Sequence, residues 1–132
     1  MDAIETRYTG LARELKPYVE GLEEVELLLG KDYVFHDAEI DEIHIVRADN
    51  TVMIIMWTGS DVDRKKHYAV IWRLEDCISI DLSDYEPNGG SPYVFELSFE
   101  RSSLFPDRIT VIFDGTGVVA TCRHIIISLE EK

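Results

Sequence analysis

Residues 35–44 read FHDAEIDEIH and hold two imidazoles, His36 and His44, and four carboxylates, Asp37, Glu39, Asp41 and Glu42. Neutral imidazoles and ionised carboxylates are the donors that zinc and related ions take, and a hydrolytic centre needs several of them converging on one point. Strand geometry limits that convergence. On a regular strand Ala38, Ile40, Glu42, His44 and Val46 share one face, and Glu39, Asp41, Ile43 and Ile45 share the other. His44 then points away from Glu39 and Asp41, so only His36, Asp37 and Glu39 can meet locally. His67 and His124 would have to complete the set, and nothing in their surroundings marks them for it. A structural role has its own mechanism: an Asp before a strand accepts backbone N–H groups, and a neighbouring His hydrogen-bonds through one ring nitrogen while its carbons pack. The residue pattern favours that role for His36, Asp37 and Glu39, as a junction between helix and sheet, with no metal and no cofactor. A metal-dependent hydrolase centred on His36 and Asp37 stays as the alternative.

No other catalytic pattern is present. The chain lacks GxSxG, GxxxxGK[ST], HExxH and GxGxxG. DGTG (114–117) looks like the aspartic-protease triplet, but its flanks ITVIF and VVATC are apolar strands, so it reads as a hairpin turn. Cys77 and Cys122 lie in apolar strand-like segments without CxxC spacing, which makes them small reduced hydrophobes rather than zinc ligands or a redox pair.

Two acidic groups remain. One is Glu20, Glu23, Glu24 and Glu26. The other runs from Glu75 to Glu86 without a Lys or Arg and includes Asp76, Asp81 and Asp84, with Tyr85 in its midst. Crowded carboxylates repel unless a cation or a basic partner offsets them, and tyrosine is a good interface anchor. Asp81, Asp84, Tyr85 and Glu86 are therefore the candidate partner-binding residues. The whole chain has 26 acidic against 13 basic residues, a formal charge of −13. That charge argues against nucleic acid, whose phosphates need Lys and Arg, and against anionic membranes. It favours a basic protein partner.

The elements that must position these residues follow from periodicity. The chain of 132 residues, 45% of them hydrophobic, fits one domain with a real core. The N-terminus MDAIETRYTG has no basic leader region, and the runs VMIIMW and HIIISL are too short to span a bilayer, which predicts a cytoplasmic protein. Ile4, Tyr8, Leu11 and Leu15 draw one apolar stripe, Pro17 interrupts it, and Val19, Leu22, Val25, Leu28 and Leu29 draw a second, ended by Gly30. This predicts two helices or one kinked helix over residues 1–30. Strands are expected at 38–47, 51–58, 67–74, 77–82, 93–101, 109–113 and 118–129, with turns at Asp49-Asn50, Glu75-Asp76 and DGTG. No helix separates the strands, so the expected fold is α+β: an N-terminal helix or helix pair on a curved, mostly antiparallel sheet of about seven strands. Val52–Met56 and Val119–Leu129 are apolar enough on both faces to bury surface against another copy, which leaves an acidic homodimeric scaffold as a further alternative.

FHDAEIDEIHIVRADNTVMIIM resembles the opening strand-hairpin of a group of bacterial immunity proteins that carry FHDAE and neutralise toxins of polymorphic and contact-dependent systems. VIWRLEDCISIDLSDYE is similar to that group's second half, and ITVIFDGTGVVATCRHIIISLE to its terminal hairpin. The likeness spans about residues 33–129, with the pentapeptide its sharpest part. It implies a small non-enzymatic protein that binds and blocks a toxin domain, and many such toxins are basic. Charge complementarity suits that role.

Overall fold

A computed structural model describes residues 13–29, 38–59, 65–85, 94, 96–102 and 104–131. Residues 13–29 carry less helix than the apolar stripes predict. Arg13–Tyr18 forms a 3-10 helix with Pro17 inside it, and Val19–Glu20 is a short strand, β1. Gly21 then turns the chain with φ +93°, a region open to glycine. A Cβ there would collide with the carbonyl oxygen of Ile127, so the small residue also permits a close approach to the final strand. Helix α1 covers Leu22–Leu29, with Glu23 and Glu24 in its first turn, where carboxylates complement the helix dipole. Leu22, Val25 and Leu29 are buried, as their spacing requires, but Leu28 is 45% exposed and Val19 belongs to β1. The residues of the first predicted stripe before Arg13, and Gly30, lie outside the described residues.

The remaining strands are β2 (Glu39–Val46), β3 (Thr51–Gly59), β4 (His67–Glu75), β5 (Ser79–Asp81), β6 (Glu96–Arg101), β7 (Ile109–Asp114), β8 (Val118–Cys122) and β9 (His124–Glu131). They form two sheets: a five-stranded one in the order β1-β9-β4-β3-β2 and a four-stranded one in the order β5-β8-β7-β6. Among the described residues only the β1–β9 pair is parallel. The α+β expectation of a helix pair on one seven-stranded sheet is thus corrected. The protein is mostly β, with one α-helix and nine strands in two sheets among the described residues.

The extra sheet has a simple local cause. The predicted long strand 118–129 breaks at Arg123, whose N–H donates to the Glu75 carbonyl at 3.1 Å. Before the break the chain pairs with β7 and β5; after it, with β4 and β1. One segment therefore serves both sheets and turns the corner between them.

The two sheets enclose a shared core. Trp72 on β4 meets Phe113 on β7 edge-on, with ring centroids 5.0 Å apart, and Phe99 on β6 at 6.1 Å. The inner rows are Val52, Ile54 and Met56 on β3, Val70, Trp72 and Leu74 on β4, and Val111 and Phe113 on β7. α1 adds Leu22, Val25 and Leu29 to the same cluster. No helix among the described residues is long and apolar enough to cross a membrane.

Candidate functional site

The predicted acidic loop is built on the end of the four-stranded sheet. Asp81 closes β5 opposite Val119. Its Oδ1 accepts the Ser83 N–H at 2.9 Å and the Ser83 hydroxyl at 2.7 Å, an Asx turn that holds the following residues. These two hydrogen bonds favour the ionised carboxylate and hold its pKa below the usual 3.8. Tyr85 N–H then donates to the Leu82 carbonyl at 3.0 Å, and the Tyr85 side chain is half-buried against the core.

The DGTG hairpin turn supports this loop from beneath. Gly117 has φ +85°, and a Cβ there would come within 2.5 Å of the Asp84 carbonyl group and 2.7 Å of the Tyr85 nitrogen. Thr116 is buried in the same turn: its hydroxyl donates to the Phe113 carbonyl at 2.7 Å and accepts the Val118 N–H at 3.1 Å. The two turns lie on each other, and Asp81 and Asp84 are left exposed. Glu86, the fourth candidate, lies outside the described residues.

The FHDAE stretch divides. His36 and Asp37 lie outside the described residues, while Glu39 is the first residue of β2 and is exposed. The strand departs from the expected alternation. Ile40 pairs with Met56 but Glu42 pairs with Ile55, so Asp41 forms a bulge. A bulge inserts one residue and reverses the facing of everything after it. Ile40, Ile43 and Ile45 therefore share the inner face, and Glu39, Glu42 and His44 share the outer one. The sequence expectation that His44 points away from Glu39 is corrected. His44 Nε2 lies 2.7 Å from Glu42 Oε1, with both side chains about half exposed. Among the described residues no group of three His, Cys, Asp or Glu is placed to hold a metal ion.

At the corner between the sheets Arg108 lies mostly buried, with 12% of its side chain exposed. It pairs with Asp107 at 2.7 Å and Asp76 at 3.4 Å, while Arg123 reaches Asp76 at 3.0 Å. This network pins the β4–β5 turn, where Asp76 has φ 52°, to the loop before β7. Asp76, one of the acidic residues of the sequence reading, is thus committed to structure. Both cysteines lie close by. Burial raises the Cys77 thiol and pushes that of Cys122 up to about 12, which leaves both as neutral packing groups at ordinary pH.

The register also exposes a surface that the sequence reading did not single out. On the outer face of the five-stranded sheet, Met53, Ile55 and Trp57 of β3 stand beside Ile71 and the buried Ala69 of β4, and Ile126 of β9 lies beyond Arg73. Trp57 is 37% exposed and Met53, Ile55, Ile71 and Ile126 are half-buried. The signal was present: residues 52–57 of β3 and 68–72 of β4 are unbroken apolar runs.

What the fold and these surfaces define is a two-sheet β protein with an acidic loop and an apolar outer face. No protein-family model matches the chain, and no curated protein or solved structure matches it significantly.

Proposed function

We propose that this chain is a non-enzymatic binding protein that works as an immunity protein, occupying a basic bacterial toxin domain and blocking it. The observation that carries the reading is the way the exposed carboxylates Asp81 and Asp84 are held. Ser83 holds the Asp81 carboxylate, and the DGTG turn packs against the Asp84 backbone, in a protein whose formal charge is −13. Carboxylates held in place lose little entropy when a cationic surface docks, and the net field speeds its approach. The FHDAE resemblance supports the same reading.

The test is calorimetry between this protein and the purified C-terminal domain of a large secreted protein encoded beside it, at low and high salt. The expected result is tight binding that weakens as salt rises. Replacing Asp84→Asn together with Glu86→Gln should slow association at low salt. Binding indifferent to salt, with unchanged association in that variant, contradicts the assignment of the acidic loop. Absence of binding contradicts the immunity role itself.

A further inference from the structure

The outer face of the five-stranded sheet has the chemistry of a docking surface. Across β3 and β4, Ile55 sits directly opposite Ile71, with Met53 and Trp57 on either side along β3. The three strands β3, β4 and β9 span about 10 Å, and three apolar positions along β3 span about 14 Å. The resulting patch, on the order of 140 Å², is small enough for a soluble protein to expose and can form the centre of a standard interface.

The rim of this patch is acidic on both sides. Glu39 and Glu42 flank it on β2, and Glu20, Glu75 and Glu130 lie on outer-face positions of β1, β4 and β9. Against these five carboxylates the same face offers one guanidinium, Arg73, paired with Glu75 at 3.1 Å, and three imidazoles, His44, His67 and His124; His44 lies 2.7 Å from Glu42, and His124 lies 3.4 Å from Glu75 and 3.8 Å from Glu20. The Asp41 bulge is what brings Glu39 and Glu42 to this face together.

From this arrangement we infer that the outer face of the β2-β3-β4-β9 sheet is the main docking surface, and that its occupant is a folded protein with an apolar centre ringed by Lys and Arg. The inference rests on the binding-protein reading and names where the partner sits. A second copy of this chain is disfavoured by charge, because a twofold pairing would set one carboxylate rim against the other. A basic partner has the opposite balance: its cations meet the rim, and its apolar groups complete the desolvated centre that carries most binding energy.

The experiment is binding calorimetry of the full chain with the same purified C-terminal domain, using three variants. Ile55→Thr with Ile71→Thr keeps β-branched residues in the sheet and removes apolar surface; circular dichroism and the melting temperature confirm that it folds. Glu39→Gln with Glu42→Gln removes rim charge alone. The acidic-loop variant Asp84→Asn with Glu86→Gln completes the set. The inference expects the isoleucine pair to weaken binding by about tenfold or more, and the rim pair to weaken it several-fold at low salt with little change at high salt. Unchanged affinity in both face variants, with the loop variant impaired, overturns the inference and leaves the immunity role standing. Absence of binding by the unmodified chain removes both. A dimer of this chain that dissociates in the isoleucine variant overturns the inference by giving the face to a second copy.

Discussion

The two sheets turn very different faces to the outside. On the four-stranded sheet the outward positions of β5, β7 and β8 include Ser79, Thr110 and Thr121, and the Thr110 and Thr121 hydroxyls lie 2.8 Å apart. Ile112 and Val119 interrupt this polar row but stand between Ser98 and Asp81. That is an ordinary solvated sheet face, with hydroxyls that bond each other or water. On the five-stranded sheet the corresponding positions hold Met53, Ile55, Trp57 and Ile71, with carboxylates confined to the margins. Both inner faces are equally apolar, because they share one core. Core formation therefore explains half of the apolar character of β3 and β4, and the proposed docking surface accounts for the outer half.

The largest effect should come from damage that both faces share. Trp72→Ala removes the side chain that joins the sheets and should cost about 3–5 kcal/mol, read from chemical denaturation; both faces would lose their support together. Gly117→Ala is more local. The positive φ and the contact with Asp84 and Tyr85 should cost about 1–3 kcal/mol and displace the acidic loop, while the outer face of the five-stranded sheet stays intact. Comparison of amide spectra of the two variants separates these outcomes.

Arg108→Ala strips the buried partner from Asp76 and Asp107 at the corner where the sheets meet. A loss of about 1–2 kcal/mol is expected, moderated by the exposure of the two carboxylates. If the corner merely caps the fold, binding to a basic partner should survive this change.

The mildest effect concerns pH. Two bonds from Ser83 to Asp81 lower the folded pKa, so their contribution is present above the unfolded value of 3.8 and is lost as pH falls through the lower folded value. In Ser83→Ala the Asp81 carboxyl should titrate nearer 3.8, as read by carboxyl-carbon NMR. Cys122 works in the opposite sense. Its neutral thiol is favoured by burial, so that contribution is complete below the ordinary value of 9.0 and is lost as pH rises toward about 12. Cys122 should accordingly resist alkylation until the chain unfolds.

Strand periodicity made most of the β segments legible, along with the DGTG hairpin and the acidic loop. What it could not show depended on single residues acting through distant partners. The spacing Ile40, Ile43, Ile45 breaks the period of two at one point, which is the mark of the Asp41 bulge, and that one residue decides which face holds Glu39, Glu42 and His44. Arg123 looks like one more residue of a long strand, yet its bond to Glu75 bends the chain from one sheet into the other. The second apolar stripe predicted helix from Val19 onward, but pairing of Val19 with Ile125 claims the first residues as strand, and only glycine fits at position 21, because the Ile127 carbonyl lies against it. Apolar residues on both sides of β3 were visible as centrality in a sheet; that one side faces outward follows only from the two-sheet topology.

The outer faces can be compared most directly by labelling the isoleucine δ1 methyl groups and titrating the full chain with the same purified C-terminal domain proposed for the calorimetry. Ile55, Ile71 and Ile126 should shift or broaden together, while Ile112 on the four-stranded sheet stays unchanged. Movement of Ile112 with no change at Ile55 and Ile71 would contradict the assignment of docking to the five-stranded sheet.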